Sequence, residues 1–239
     1  MPPKSAETTL RFATRPRRPV LNIVAITAGS GLAAWLTGRA VGAVAGDRNA
    51  PWIVGRASGI AAYLLLVALV IAGLLLSHPW RTRWRRPGPD LRLRVHVSLA
   101  VFTLALLVLH VVVLATDEYA KVGWWGALLP MASRYRPAAV TLGVLGAYCG
   151  LLSGLTAALA GRLARRVWWP LHKVAAGGLA LVWAHGVLAG SDSEALRLMY
   201  LGTAAGVLAL AVTRYAARTP ADRARDLAGD RLPGRRPVG

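Results

Sequence analysis

Four histidines sit in two apolar stretches. His96 and His110 are fourteen residues apart in VHVSLAVFTLALLVLHV, and His172 and His185 are thirteen apart in LHKVAAGGLALVWAHG. Both stretches carry almost no charge and are long enough to span a bilayer. An imidazole in hydrocarbon is expensive, so it needs a partner or a function. At about 1.5 Å rise per residue, either spacing separates its two rings by roughly 20 Å. One ring of each helix then falls near each face of a hydrocarbon layer about 30 Å thick. Two such helices side by side offer two stacked imidazole pairs. The chemistry that fits is axial ligation of two haems. An iron with both axial positions filled passes single electrons and binds no substrate at the metal. Two stacked sites would carry electrons across the membrane.

The elements that must position these rings are membrane spans. The 239 residues are 55% hydrophobic with a mean hydropathy of +0.47. Six apolar stretches run roughly over Val20–Gly38, Ala57–Ser77, Val95–Ala115, Ala138–Ala160, Trp168–Ala189 and Leu196–Thr213. The expected fold is an all-α integral membrane bundle of six spans. A basic arm (1–19) precedes the membrane domain (20–213), and a charged, Gly- and Pro-containing tail (214–239) that reads as disordered follows it. The first apolar run lacks a small-residue cleavage site and reads as a retained helix. Cys149 is the sole cysteine, which excludes an internal disulfide and reads as a buried thiol.

Charge fixes the expected orientation. The chain carries +19 at pH 7, which in a soluble protein would point to nucleic acid. Here Lys and Arg outside the stretches alternate. The segments 1–19, 78–94, 161–167 and 214–239 hold 5, 6, 3 and 7, whereas 39–51, 116–137 and 190–195 hold 2, 3 and none. Cytoplasmic segments carry the excess, so both termini are expected in the cytoplasm, with contact to lipid and none to nucleic acid. The third and fifth stretches then run parallel. His96 pairs in depth with His172 near the cytoplasmic face, and His110 with His185 near the outer face. One feature fits poorly. Thirteen residues at 100° each leave His172 and His185 about 140° apart around a regular helix, with Gly177 and Gly178 between them as a place to bend.

Haem propionates need cations. Arg92, Arg94 and Lys173 are candidates at the inner pair. Arg56 is the candidate at the outer pair, unless it is an interfacial arginine that snorkels. Gly59, Gly143, Gly146, Gly177 and Gly178 either admit a flat macrocycle or serve plain helix packing. His78 in SHPW reads as a capping or interfacial residue. Trp124, Trp125, Trp168 and Trp169 read as interfacial belt residues, with packing on a haem edge as the alternative. Asp117, Glu118, Asp192 and Glu194 read as loop carboxylates, or as a cluster that gathers a cationic metal acceptor. The run RTRWRR (Arg81–Arg86) reads as contact with anionic lipid, or as a dock for an acidic electron donor.

At these residues the chain resembles the ferric reductase-like transmembrane domain. That family includes ferric reductases, NADPH oxidases and the haem-binding membrane subunit of a bacterial methionine sulfoxide reductase system. The resemblance covers about Trp52 to Thr213. It rests on GRASGIAAYLL, on the fourteen-residue histidine spacing and on WWPLHKVAAGGLALVWAH. It implies two b-type haems, an inner one on His96 and His172 and an outer one on His110 and His185, with Arg56 near the outer haem. It implies an oxidoreductase component in a bacterial plasma membrane. No glycine-rich dinucleotide loop follows a strand in this sequence. Electrons are therefore expected from a separate cytoplasmic flavoprotein or a reduced quinone, and would pass to an external acceptor or a periplasmic redox protein. The alternatives are a haem-binding anchor for one extracytoplasmic reductase, and a haem-free transporter or structural protein.

Overall fold

A computed structural model describes residues 49–79, 88–160 and 162–216, and these are helical with no strand among them. Proline starts three of the helices, as expected where the amide has no helical acceptor. Pro51 lies in the first turn of α1 (Ala50–Leu76), Pro89 opens α2 (Pro89–Thr116), and Pro137 opens α4 (Pro137–Ala158). A short helix, α3 (Gly123–Leu128), precedes α4. Then come α5 (Arg165–Ala189) and α6 (Arg197–Ala216). Helices α1, α2, α4, α5 and α6 are each long and apolar enough to cross a membrane. Each matches one of the last five apolar stretches. The N-terminal ends of α1, α2, α4 and α5 extend beyond the apolar runs, most at α1, which takes in Trp52 and Arg56. The first stretch, Val20–Gly38, lies outside the described residues, as do the Arg81–Arg86 run and most of the tail.

Two antiparallel hairpins make the frame. Helix α1 packs along α2, with Gly55 against Leu114, Gly59 against His110 and Gly73 against His96. Helix α4 packs along α5, with Gly143 against His185, Gly146 against Val182 and Cys149 against Gly178. Glycine is needed at these crossings. A Cβ on Gly146 would lie 2.6 Å from a Val182 methyl, and one on Gly178 would lie 2.9 Å from the Cys149 Cβ. Small residues let helix backbones approach where lipid supplies no hydrophobic drive.

The hairpins meet through α1, α5 and α6. Tyr63, Val67, Leu179 and Tyr200 form a buried cluster, and the Trp183 indole donates to the Tyr200 carbonyl at 3.1 Å. Tyr63 and Thr203 share a hydroxyl hydrogen bond, and the Arg214 Nε donates to the Ser77 hydroxyl at 3.2 Å. These contacts run parallel along α1 and α6. Outward-facing side chains are large and apolar, among them Phe102 and Val108 on α2 and Leu198, Leu208 and Val212 on α6. An apolar surface of this extent needs lipid rather than water around it.

Candidate functional site

Helix α2 and helix α5 do not pack on each other. They face across a cavity of about 1420 Å³ that runs the length of the bundle. All four predicted histidines line it. On α2 the lining centres on a stripe at three-and-four spacing through Leu93, His96, Ala100, Thr103, Leu107, His110 and Leu114, flanked by Val97, Val101, Leu104 and Val111. On α5 the face is broader. His172 and His185, 140° apart around the helix axis, reach the cavity from opposite flanks, with Ala175 and Val182 between them. Strict alignment along α5 is therefore unnecessary.

The rings pair by level. The centroids of His96 and His172 are 6.2 Å apart with planes at 68°, and those of His110 and His185 are 6.4 Å apart at 80°. No hydrogen bond joins ring to ring. Instead the Nδ1 atoms turn back to helix carbonyls. His110 Nδ1 donates to Gly55 O at 2.6 Å, His185 Nδ1 to Ala139 O at 2.9 Å, and His172 Nδ1 to Ser153 O at 3.3 Å. His96 Nδ1 is buried and faces the Leu69 carbonyl outside hydrogen-bonding geometry. A carbonyl only accepts, so each bonded Nδ1 carries the proton. In a neutral imidazole that leaves the Nε2 lone pair free as a ligand.

Each end of the cavity has its own polar residues. At the His110–His185 end, Arg56 forms an ion pair with Asp192 and lies 5.7 Å from the Trp52 ring centre. Trp52 in turn makes edge contacts with Tyr119 and Tyr135. Tyr135 and Arg136 donate to the Ala189 and Leu188 carbonyls at 2.8 and 2.7 Å, which satisfies the last turn of α5. At the His96–His172 end, Trp168 and Trp169 surround His172, and Trp169 stacks on it at 25°. The Lys173 Nζ lies 5.2 Å from the Trp169 ring centre, and Lys173 and Arg214 both line the cavity.

No family model, curated protein or solved structure matches this chain.

The remaining candidates divide. Arg94, a candidate propionate partner, is exposed and does not line the cavity. Two residues from His96, it is turned about 200° away around α2. Arg92 is half-buried and also outside the lining. Arg214, at the end of α6, supplies a cation that the sequence reading missed. His78 is almost fully buried and does not line the cavity. Trp124 and Trp125 are exposed on α3, whereas Trp168 and Trp169 are cavity residues. Asp117, Asp192 and Glu194 each have a partner of their own and do not gather as one acceptor site. Asp192 is paired with Arg56, Glu194 with Arg197, and Asp117 accepts from the Tyr119 amide at 3.1 Å. Among the described residues no three His, Cys, Asp or Glu side chains converge as a metal site, and the cavity histidines come in twos. Cys149 is half-buried at the α4–α5 crossing. Gly59 and Gly143 back onto histidines and Gly146 and Gly178 pack helices, while a Cβ at Gly177 would meet nothing within 4 Å.

Proposed function

We propose that this chain is a di-haem b electron-transfer protein of the ferric reductase-like kind. In this reading His96 and His172 hold one haem, and His110 and His185 hold the other. The observation that carries the proposal is the pair of equal ring separations across one apolar cavity, 6.2 and 6.4 Å. Metal–imidazole bonds are about 2 Å long, so two of them end to end, with the reach from each nitrogen to its ring centre, come to about 6 Å. A direct imidazole hydrogen bond would draw the rings closer than this. The donor set fits as well. The Nδ1–H bonds to backbone carbonyls fix the ring orientation and make Nε2 a better ligand. The cavity exceeds the few hundred to about 1000 Å³ typical of a site for one small ligand. Bound in this way, each haem would supply one-electron redox chemistry and nothing at an open iron position.

The chain's own residues do the rest. Apolar side chains make up most of the cavity wall, Lys173 and Arg214 offer cations at one end, and Arg56 offers one at the other. With Val20–Gly38 as a first span, the charge alternation supports six spans and cytoplasmic termini in a plasma membrane. The inner pair would then face a cytoplasmic flavoprotein or a reduced quinone. The outer pair would face a ferric chelate, oxygen or a periplasmic redox partner.

The test is the absorption spectrum of the detergent-purified chain from cells supplied with iron and porphyrin precursor. Dithionite should sharpen a Soret band and raise b-type α and β bands, and pyridine haemochrome should give two haems per chain. A colourless chain would overturn the proposal in favour of a haem-free protein.

A further inference from the structure

The imidazoles are seated by a repeated register. On α1, Gly55 O accepts from His110 and Gly59 lies four residues on. Leu69 O faces His96 and Gly73 lies four residues on. On α4, Ala139 O accepts from His185 and Gly143 lies four residues on. In each case a helix carbonyl faces the ring and a glycine follows one turn later. The two levels are fourteen residues apart on α1. The fourth seat keeps the same interval on α4, where Ser153 O accepts from His172, but Ala157 stands where the other three have glycine. The hydrogen bond there is the longest of the three, at 3.3 Å.

The register has a physical cause. A helix carbonyl already accepts the amide four residues on, and its second lone pair is covered by the side chain of that same residue, which leans over the preceding turn. Glycine uncovers it. A Cβ on Gly59 would lie 2.7 Å from His110 Cε1 and Nδ1, one on Gly143 would lie 2.8 Å from His185 Nδ1, and one on Gly73 would lie 3.2 Å from His96 Cε1. Glycine weakens a helix relative to alanine, so its use at these seats needs a cause beyond helix formation.

We infer that Gly59, Gly73 and Gly143 are positioning residues, which admit each imidazole to a helix carbonyl and so set the ligand geometry of the site, once by the α1–α2 hairpin and again by the α4–α5 hairpin. The inference rests on the haem reading above.

The experiment substitutes alanine at Gly59, Gly143 and Gly73, and as controls at Gly202 and Gly206 of α6, which lie off the cavity and where a Cβ meets nothing within 4 Å. Each full-length chain is purified in detergent. Haem per chain and the low-spin ferric electron paramagnetic resonance signals are measured. In Gly59→Ala and Gly143→Ala the ratio should fall from two towards one, with the same low-spin signal lost in both. Gly73→Ala, with the looser contact, should shift the other signal and lose less haem. The controls should keep both signals. Ala157→Gly, which introduces no clash, should shift the signal of the His96–His172 site. The surviving signal in each variant reports that the chain has folded. Loss of both signals from Gly59→Ala would make glycine mere packing and overturn the inference. Unshifted signals in Gly59→Ala and Gly143→Ala would overturn it as well, as would equal losses in the controls. Wild-type chain without haem would defeat the haem reading itself, a distinguishable outcome.

Discussion

Asp192, in the connection between α5 and α6, forms an ion pair with Arg56 of α1 across the mouth of the cavity. The pair ties the two hairpins together at the His110–His185 level. It also answers what an arginine does at the end of an apolar helix, because its charge is met by a carboxylate and an aromatic face. The side chains are 30% and 42% exposed, so water weakens the attraction.

Breaking this pair should have a small effect on stability and a signed effect on the nearby site. Arg56→Gln and Asp192→Asn should each lower thermal stability modestly. A double-mutant cycle should give a coupling of about 0.5–1 kcal/mol that shrinks with added salt. A cation favours the reduced form of a neighbouring redox centre, so Arg56→Gln should lower the midpoint potential of the outer site and Asp192→Asn should raise it. The inner site should not move. Redox titration of the α band reads both, and a midpoint that rises or stays put in Arg56→Gln would remove Arg56 from that site.

The histidine pairing has its own signature in non-additivity. His110→Ala and His185→Ala should each cost one haem, and the two together should cost no second one. His96→Ala combined with His110→Ala should abolish both haems. Pyridine haemochrome per chain measures the outcome. A double His110/His185 variant that loses both haems would mean that the rings are not paired by level.

Cations at the inner end should separate by their place around the helices. Lys173→Gln and Arg214→Gln remove charges that line the cavity, so each should lower the inner site's midpoint potential. Arg94→Gln should leave it unchanged, because that side chain points away from the cavity. A shift caused by Arg94→Gln as large as that of Lys173→Gln would reverse the assignment.

Some of this arrangement was written in local pattern and some was not. On α2 the fourteen-residue interval returns almost to the same side of the helix, so His96 and His110 were readable as one stripe. The thirteen-residue interval on α5 looked like a conflict, because sequence does not tell how wide a face a helix presents to a cavity. Arg94 is close to His96 in sequence but turned about 200° from it around α2, and only the packed helix shows that it does not line the cavity. Asp192 gave no local sign of its partner, since it pairs with a residue 136 positions away through the folding of a loop. The six-residue α3 was hidden in what read as a loop. Gly59 and Gly143 were visible as small residues. Only the neighbouring helix, which brings His110 and His185 onto them, distinguishes a ring seat from ordinary packing.

The join between the hairpins, on the cavity wall away from the histidine pairs, should be the most sensitive structural point besides them. Tyr200 is 6% exposed, packs on Tyr63 with ring centroids 5.2 Å apart, and accepts from Trp183 through its carbonyl. Its ring lies against Gly186, where a Cβ would stand 2.6 Å from the hydroxyl oxygen. Tyr200→Ala should cost about 3 kcal/mol or more through the cavity it leaves. Gly186→Ala should cost about 1–3 kcal/mol through overpacking, despite alanine's better helix propensity. Tyr63→Phe should cost only about 1 kcal/mol, because Thr203 keeps its bond to Met199 O at 2.8 Å. Thermal unfolding in a single detergent ranks the three. A Gly186→Ala variant more stable than wild type would show that α5 and α6 do not meet at Tyr200.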